Sequence, residues 1–293
     1  MRRRLVLAIL GVGLCACSNR GIEEPELPWP PAGFAFIRSG TFTMGSPLDE
    51  EGHSMRETQH TVVLTRSLLV LDHEVTQAEW SAVMGWNESP YPGENRPVTR
   101  VSWFDAVQYC IERSEREGLD PAYTLTDTTM EGVHVVSGDV EWDQASTGYR
   151  LLTEAEWEYT CRAGSQDAFC NGPIFTIRCP PPSNPTLDLV AWYCIAEPHE
   201  VARKEPNAWG VYDMHGNAEE WCWDRSDYSE YGPGSATDPI GTRFGTYRVY
   251  RSGSAGPNYC RSAWRGADSP RLYYHLWRGL RIARTDLAFP GRE

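Results

Sequence analysis

The 293 residues predict a compact, loop-rich domain built from short helices and short strands. Three observations point there. The 26 glycines and 21 prolines interrupt the chain too often for long stacked helices, while 12 Trp and 14 Tyr give brief elements bulky core material. One helix-start signal occurs three times, each time followed by a glycine stop. Short apolar or alternating runs lie around these helices and read as strands.

In chain order, residues 18–32 (SNRGIEEPELPWPPA) hold four prolines and three glutamates, the composition of a tether. Residues 34–44 (FAFIRSGTFTM) alternate enough for a strand or hairpin with Gly40 at its turn, and residues 60–71 (HTVVLTRSLLVL) read as a strand pair after a polar loop over 50–59. Thr76-x-x-Glu79, Ser102-x-x-Asp105 and Thr153-x-x-Glu156 are capping boxes: each hydroxyl can accept from the third residue's amide while the acid reaches back. Gly85, Gly118 and Gly164 supply the stops. In the second helix Ala106, Val107, Cys110, Ile111 and Ser114 share one stripe, which makes Cys110 a core thiol. Residues 123–152 read as a β-insertion with strand candidates at 123–125, 133–136 and 140–142. Residues 247–254 and 278–281 are later strand candidates, in a last segment rich in arginine.

A net charge of −13 argues against nucleic acid as a partner, because it leaves no excess of positive charge to neutralise phosphates. Arg2-Arg3-Arg4 precede an apolar run over 5–14 that is too short to span a bilayer and suits a signal peptide. Leu14-Cys15-Ala16-Cys17 resembles a bacterial lipobox, with Cys17 as the lipidated residue; an ordinary secretory signal or a short core helix is the alternative. The expected layout is a signal over 1–16, a tether over 17–32, a domain over 33–285 and a tail over 286–293. That describes an exported lipoprotein of the cell envelope, held to a membrane by its N-terminal lipid. Ser18 after the lipidated position points to the outer membrane under enterobacterial sorting.

An exported protein can oxidise its cysteines, and seven remain after Cys15 and Cys17: an odd number, which leaves at least one unpaired within the chain. No spacing is CxxC, so a zinc ribbon is not expected. Residues 165–198 hold three cysteines and six prolines, and so long a loop wants a staple among Cys170, Cys179 and Cys194. Cys179–Cys194, enclosing Pro180-Pro181-Pro182, is the favoured pairing.

The chain centres on residues 206–224 (PNAWGVYDMHGNAEEWCWD), with four Trp/Tyr rings, two glycines and four acids in nineteen positions. Asp213-x-x-Gly216-x-Ala218-x-Glu220 alternates side-chain oxygens with small residues whose carbonyls are free, a supply of oxygen donors that suits Ca²⁺. A turn stitched by Asx-type hydrogen bonds explains the same pattern.

Three long segments occur in one order: Pro97-Val98-x-x-Val101-Ser102-Trp103-x-Asp105-Ala106, Tyr149-Arg150-Leu151-x-Thr153-Glu154-Ala155-Glu156-Trp157-Glu158-Tyr159, and Pro206-Asn207-x-x-Gly210-x-Tyr212-Asp213-Met214-x-Gly216-Asn217-Ala218-x-Glu220-Trp221. Gly40-x-Phe42-x-Met44-Gly45-Ser46 precedes them, and Arg251-x-Gly253-Ser254, Arg261-Ser262-Ala263-x-Arg265 and Gly279-Leu280-Arg281 follow. Over roughly residues 33–285 the chain resembles the formylglycine-generating enzyme, or sulfatase-modifying-factor, domain. The resemblance implies a single α+β domain, C-type-lectin-like and poor in regular secondary structure. It implies structural calcium on Asp213, Gly216, Ala218 and Glu220. A second family calcium site does not carry over, because residues 192–201 are shorter and lack its asparagine.

Members of that family oxidise a cysteine of a client sulfatase to formylglycine, using O₂ and copper held by two thiolates four residues apart. The matching stretch, residues 252–260, has no C-x₄-C: its one cysteine, Cys260, lies just after the pair's position and is a weak catalytic candidate. Cu(I) needs soft sulfur ligands, so copper is not expected. Glu219 replaces an aromatic beside the family pocket and Trp277 a polar residue. Cys110 and Cys161 match positions that are disulfide-bonded in the enzyme, but their partners fall on Ile282 and Ser262. Cys161 is then expected to re-pair with Cys222 or Cys260, or to stay reduced. The leading expectation is a non-oxidase binding or scaffold module for a protein client or small ligand. The rival is an oxidase rewired around Cys260 and another cysteine. An iron-dependent sulfoxide synthase of the ergothioneine type would need a histidine trio, whereas His53, His60, His73, His134, His199, His215 and His275 are scattered without ligand spacing.

Overall fold

The computed structural model describes residues 29–179, 184–228, 232 and 234–286. The proposed signal, Cys17, most of the tether and Pro180-Pro181-Pro182 lie outside them. The chain runs through β1 (Phe34–Ile37), β2 (Gly40–Met44), β3 (His60–Leu64), β4 (Leu68–Leu71), α1 (Gln77–Met84) and α2 (Trp103–Arg116). The hairpin of β5 (Tyr123–Glu131) and β6 (His134–Trp142) follows, then β7 (Arg150–Leu151), α3 (Glu154–Arg162) and the single turn α4 (Leu187–Val190). It ends with β8 (Glu219–Ser226), β9 (Ala236–Thr237), β10 (Tyr247–Arg251), β11 (Gly266–Asp268), β12 (Arg278–Leu280) and β13 (Ile282–Thr285). The fold is α+β.

All three capping boxes form. Thr76, Ser102 and Thr153 each accept from the amide three residues on, and Glu79, Asp105 and Glu156 return the bond at 2.8–2.9 Å. Gly85 closes α1 in the left-handed conformation. On α2, Ala106, Val107, Cys110 and Ser114 are buried, so Cys110 is a core thiol as its stripe predicts.

Two four-stranded sheets, in order β1-β4-β13-β7 and β11-β10-β8-β12, carry the domain, beside a three-stranded sheet β2-β3-β9. The hairpin expected over 34–44 does not form: β1 pairs with β4 (Phe34↔Leu71) and β2 with β3 (Gly40↔Leu64). Nor do residues 60–71 pair with each other. The reason lies in Leu68–Leu71, four consecutive buried apolar residues that must be covered on both faces and both edges. β4 therefore sits between β1 and β13, recruiting strands from opposite ends of the chain.

Trp80, Trp103, Tyr109 and Trp221 fill the main core between α1, α2 and the β8 sheet. A second cluster joins Trp157, Cys161, Met214 and Cys222 under α3. Parallel pairing of β12 with β8 (Gly279↔Glu220) brings the arginine-rich last segment against the central stretch. Only glycine fits at 279, where a Cβ would lie 2.2 Å from Val98 O.

Candidate functional site

The central stretch is a hub of buried ion pairs. Helix periodicity puts Glu154, Glu158 and Cys161 on the buried face of α3. Glu158 accepts from Gly45 N (2.8 Å), Arg162 Nε (2.9 Å) and Arg251 Nη2 (2.7 Å). Burial alone would push its carboxyl up, but Arg162 and Arg251 outweigh it and hold it below the ordinary range. Glu154 takes Arg265 Nε at 2.8 Å and Nη2 at 2.6 Å, and Arg251 Nη1 at 3.2 Å.

The four expected calcium residues are placed differently from one another. Both oxygens of Glu220 are engaged, with Arg281 at 2.7 and 3.1 Å and Trp157 Nε1 at 2.6 Å. Gly216 has φ 153°, its carbonyl accepts from Ser252 Oγ, and a Cβ there would meet Trp192 O at 2.3 Å. The amide of Ala218 donates to Glu74 Oε1 at 2.8 Å. Asp213 takes Ala202 N on Oδ2, while its Oδ1 is buried with no partner. Burial pushes Asp213 up to about 6. Glu74, which the motif reading missed, is pushed well above its usual range by burial and by the charges of Asp213 and Glu220. The set fits a calcium ion in part: Asp213 offers an unsatisfied oxygen, whereas the charge of Glu220 is already answered by Arg281. Among the described residues no group of three or more His, Cys, Asp or Glu is disposed to hold a metal.

The cysteines complete the picture. Cys179 and Cys194 form the disulfide expected for the proline-rich loop, with Cα atoms 5.8 Å apart. That staple sits on the stretch corresponding to the family's copper pair: Cys179 Sγ lies 3.4 Å from Ala255 O, and Cys194 N donates to Ser254 O at 2.6 Å. Cys161 and Cys222, expected as disulfide candidates, are free thiols. Their sulfurs face other groups: Cys161 lies 3.7 Å from Met214 O and from Ser262 Oγ, and Cys222 turns toward Glu220 O at 4.0 Å. The Cys161–Ser262 contact joins the two positions that the family resemblance pairs, with serine in place of the second sulfur.

Cys260 is fully buried, and its S–H donates to Gly253 O at 2.9 Å, with Gly256 O at 3.5 Å. Burial pushes Cys260 well above the ordinary thiol range and does the same to Cys161, so both are protonated. His215 lies beside them with both ring nitrogens used, Nδ1 on Cys260 O at 2.9 Å and Nε2 on Cys170 N at 3.0 Å. Its burial pushes it down to about 4, leaving a neutral imidazole in a structural role.

A cavity of 410 Å³ opens beside Asp224, Glu154 and Arg265. Asp224 is buried, accepts from Glu154 N at 2.8 Å, and is pushed up to about 8 by burial and by the Glu154 charge. No signal in the sequence separates this acid from its three neighbours in the stretch, because tertiary burial alone sets its state.

Known proteins resemble this chain in sequence and in fold. The family described as sulfatase-modifying factor enzyme 1-like domain matches residues 23–286. "Chaperone protein LppX" of Paenibacillus barcinonensis is 36% identical over 254 residues, covering 77% of this chain and 81% of the relative. The formylglycine-generating enzyme of Thermomonospora curvata is 29% identical, covering 81% of this chain and 89% of the enzyme. Among solved structures, Treponema denticola variable protein 1 superposes with a TM-score of 0.72 at 30% identity, over 86% of this chain and 95% of that one.

Proposed function

The chain belongs to the sulfatase-modifying-factor family, and from that premise we propose that it is a non-oxidase member, a lipid-anchored binding module that handles protein clients at the cell envelope. The observation that carries this reading is the state of residues 252–260. A copper oxidase of this family needs two thiolates for Cu(I), and this stretch offers one protonated, buried thiol already spent on Gly253 O, beneath a disulfide that packs on Ser254 and Ala255. A relative named as a chaperone supports client handling, and the signal and lipobox support the anchor. The 410 Å³ cavity beside Asp224 is large enough for a small ligand or a client side chain. Calcium enters this reading as a structural ion on Asp213 with the carbonyls of Gly216 and Ala218, and with Glu220 only where Arg281 yields.

The test is an aldehyde assay on a sulfatase-type cysteine peptide with O₂, with and without Cu(I), read by mass spectrometry. No formylglycine should form. Copper-dependent aldehyde that disappears in Cys260→Ser would make the protein a rewired oxidase. In parallel, the protein should suppress light scattering by a thermally denatured client enzyme, and scattering unchanged at excess protein would remove the client role.

A further inference from the structure

Seven arginines are buried among the described residues. Arg150, Arg162, Arg251, Arg261, Arg278 and Arg281 each sit on a carboxylate. Arg248 is the exception. It is 5% exposed and has no ion pair within the described residues. Nη1 donates to Trp223 O, and the guanidinium carbon lies 3.5 Å from the Trp103 ring centroid and 5.0 Å from that of Trp223. Stacking on two indoles recovers part of the cost of burying a cation but leaves its charge without a counter-ion. Among the described residues Nε and Nη2 have no acceptor, and Arg248 lines a cavity of 320 Å³. Arg225 lines the same cavity, and among the described residues its side chain donates to Gly245 O at 3.3 Å and to no other acceptor. Burial and the Arg225 charge together push Arg248 down to about 9.

Two guanidiniums facing one cavity, one of them buried without an anion, are costly in a structure that supplies a carboxylate to every other buried arginine. We propose that this cavity binds a small organic carboxylate, gripped by Arg248 and Arg225. The planar fork of a guanidinium matches the two oxygens of a carboxylate, and the stacked indoles hold Arg248 in one orientation before the ligand arrives. Phe104, Val140 and Pro270 provide apolar wall for the rest of the molecule. Asp139 and Glu141, exposed on β6 and also lining the cavity, set the charge it accepts. Two acids offset two arginines, so a singly charged anion is favoured over sulfate or phosphate, which would crowd more negative charge against them. The site shares Arg225 with the 410 Å³ cavity but involves no cysteine, so it stands independently of the oxidase question.

The experiment is calorimetric titration of the purified full chain with acetate, benzoate, sulfate and phosphate at matched ionic strength, with chloride as control. Benzoate and acetate should bind saturably, benzoate more tightly because it reaches the apolar wall. Arg248→Gln should abolish binding, but it leaves the indoles without their stacked partner and risks the fold. Arg225→Gln is exposed and keeps the fold; it should weaken benzoate about tenfold, the loss of one charge-assisted contact. Carboxylates that bind no better than chloride would overturn the proposal, as would an Arg225→Gln variant with unchanged benzoate affinity. Sulfate or phosphate binding in place of the carboxylates would overturn it too.

Discussion

Asp224 and Asp213 lie eleven positions apart in one acidic stretch, yet burial gives them different consequences. Asp224 is pushed up to about 8, far above the ordinary aspartate value of about 4. Across that window the native state keeps a proton that the unfolded chain releases. The group therefore favours folding below about pH 4, and its contribution is lost as pH rises through about 8. Asp224→Asn retains an acceptor for Glu154 N and removes the titration. Its urea midpoint relative to wild type should rise steadily between pH 5 and 8, and a constant difference would show that Asp224 ionises normally. Asp213 has the unpartnered oxygen, and calcium should act through it. At fixed neutral pH, calcium is expected to raise the melting temperature of wild type and to leave that of Asp213→Asn unchanged. A wild type indifferent to EGTA would leave Arg281 as the counter-charge for Glu220.

Among the elements, the helices follow from local chemistry and the strands do not. Thr153, Glu156 and the glycine after α3 act within a few residues of chain, so their effect is the same wherever the helix packs. β1 and β2 adjoin in sequence, but each finds its partner elsewhere, because the pairing that covers Leu68–Leu71 is settled by burial rather than by nearness along the chain. The disulfide belongs to this scale as well. It closes a separation of 15 residues, which the chain-entropy account values at about 3 kcal/mol. The Cys179→Ser, Cys194→Ser double variant should lose stability of about that size in urea titration. Because the staple packs on Ala255, the variant should also make Cys260 react faster with alkylating reagents, and unchanged protection would show that the staple does not shield the 252–260 stretch.

At the scale of the whole molecule, the proposed lipid anchor and proline-rich tether precede a folded domain. Cys17→Ser should move the protein from the detergent phase to the aqueous phase on phase separation while leaving its melting temperature unchanged, and equal partitioning of both forms would dismiss the anchor. By itself the sequence determined the family, the mixed α+β class, the three capped helices, Cys110 as a core thiol and the Cys179–Cys194 bridge. Each of these rests on residues close together in the chain or on long ordered motifs. Tertiary structure alone decided that Glu220 meets Arg281, that Cys161 faces Ser262 instead of a second sulfur, and that Arg248 is buried with no carboxylate paired to it among the described residues. The first two pairs lie 61 and 101 residues apart, and which acid answers which arginine is set by how β8, β10 and β12 pack, which no local pattern of residues names.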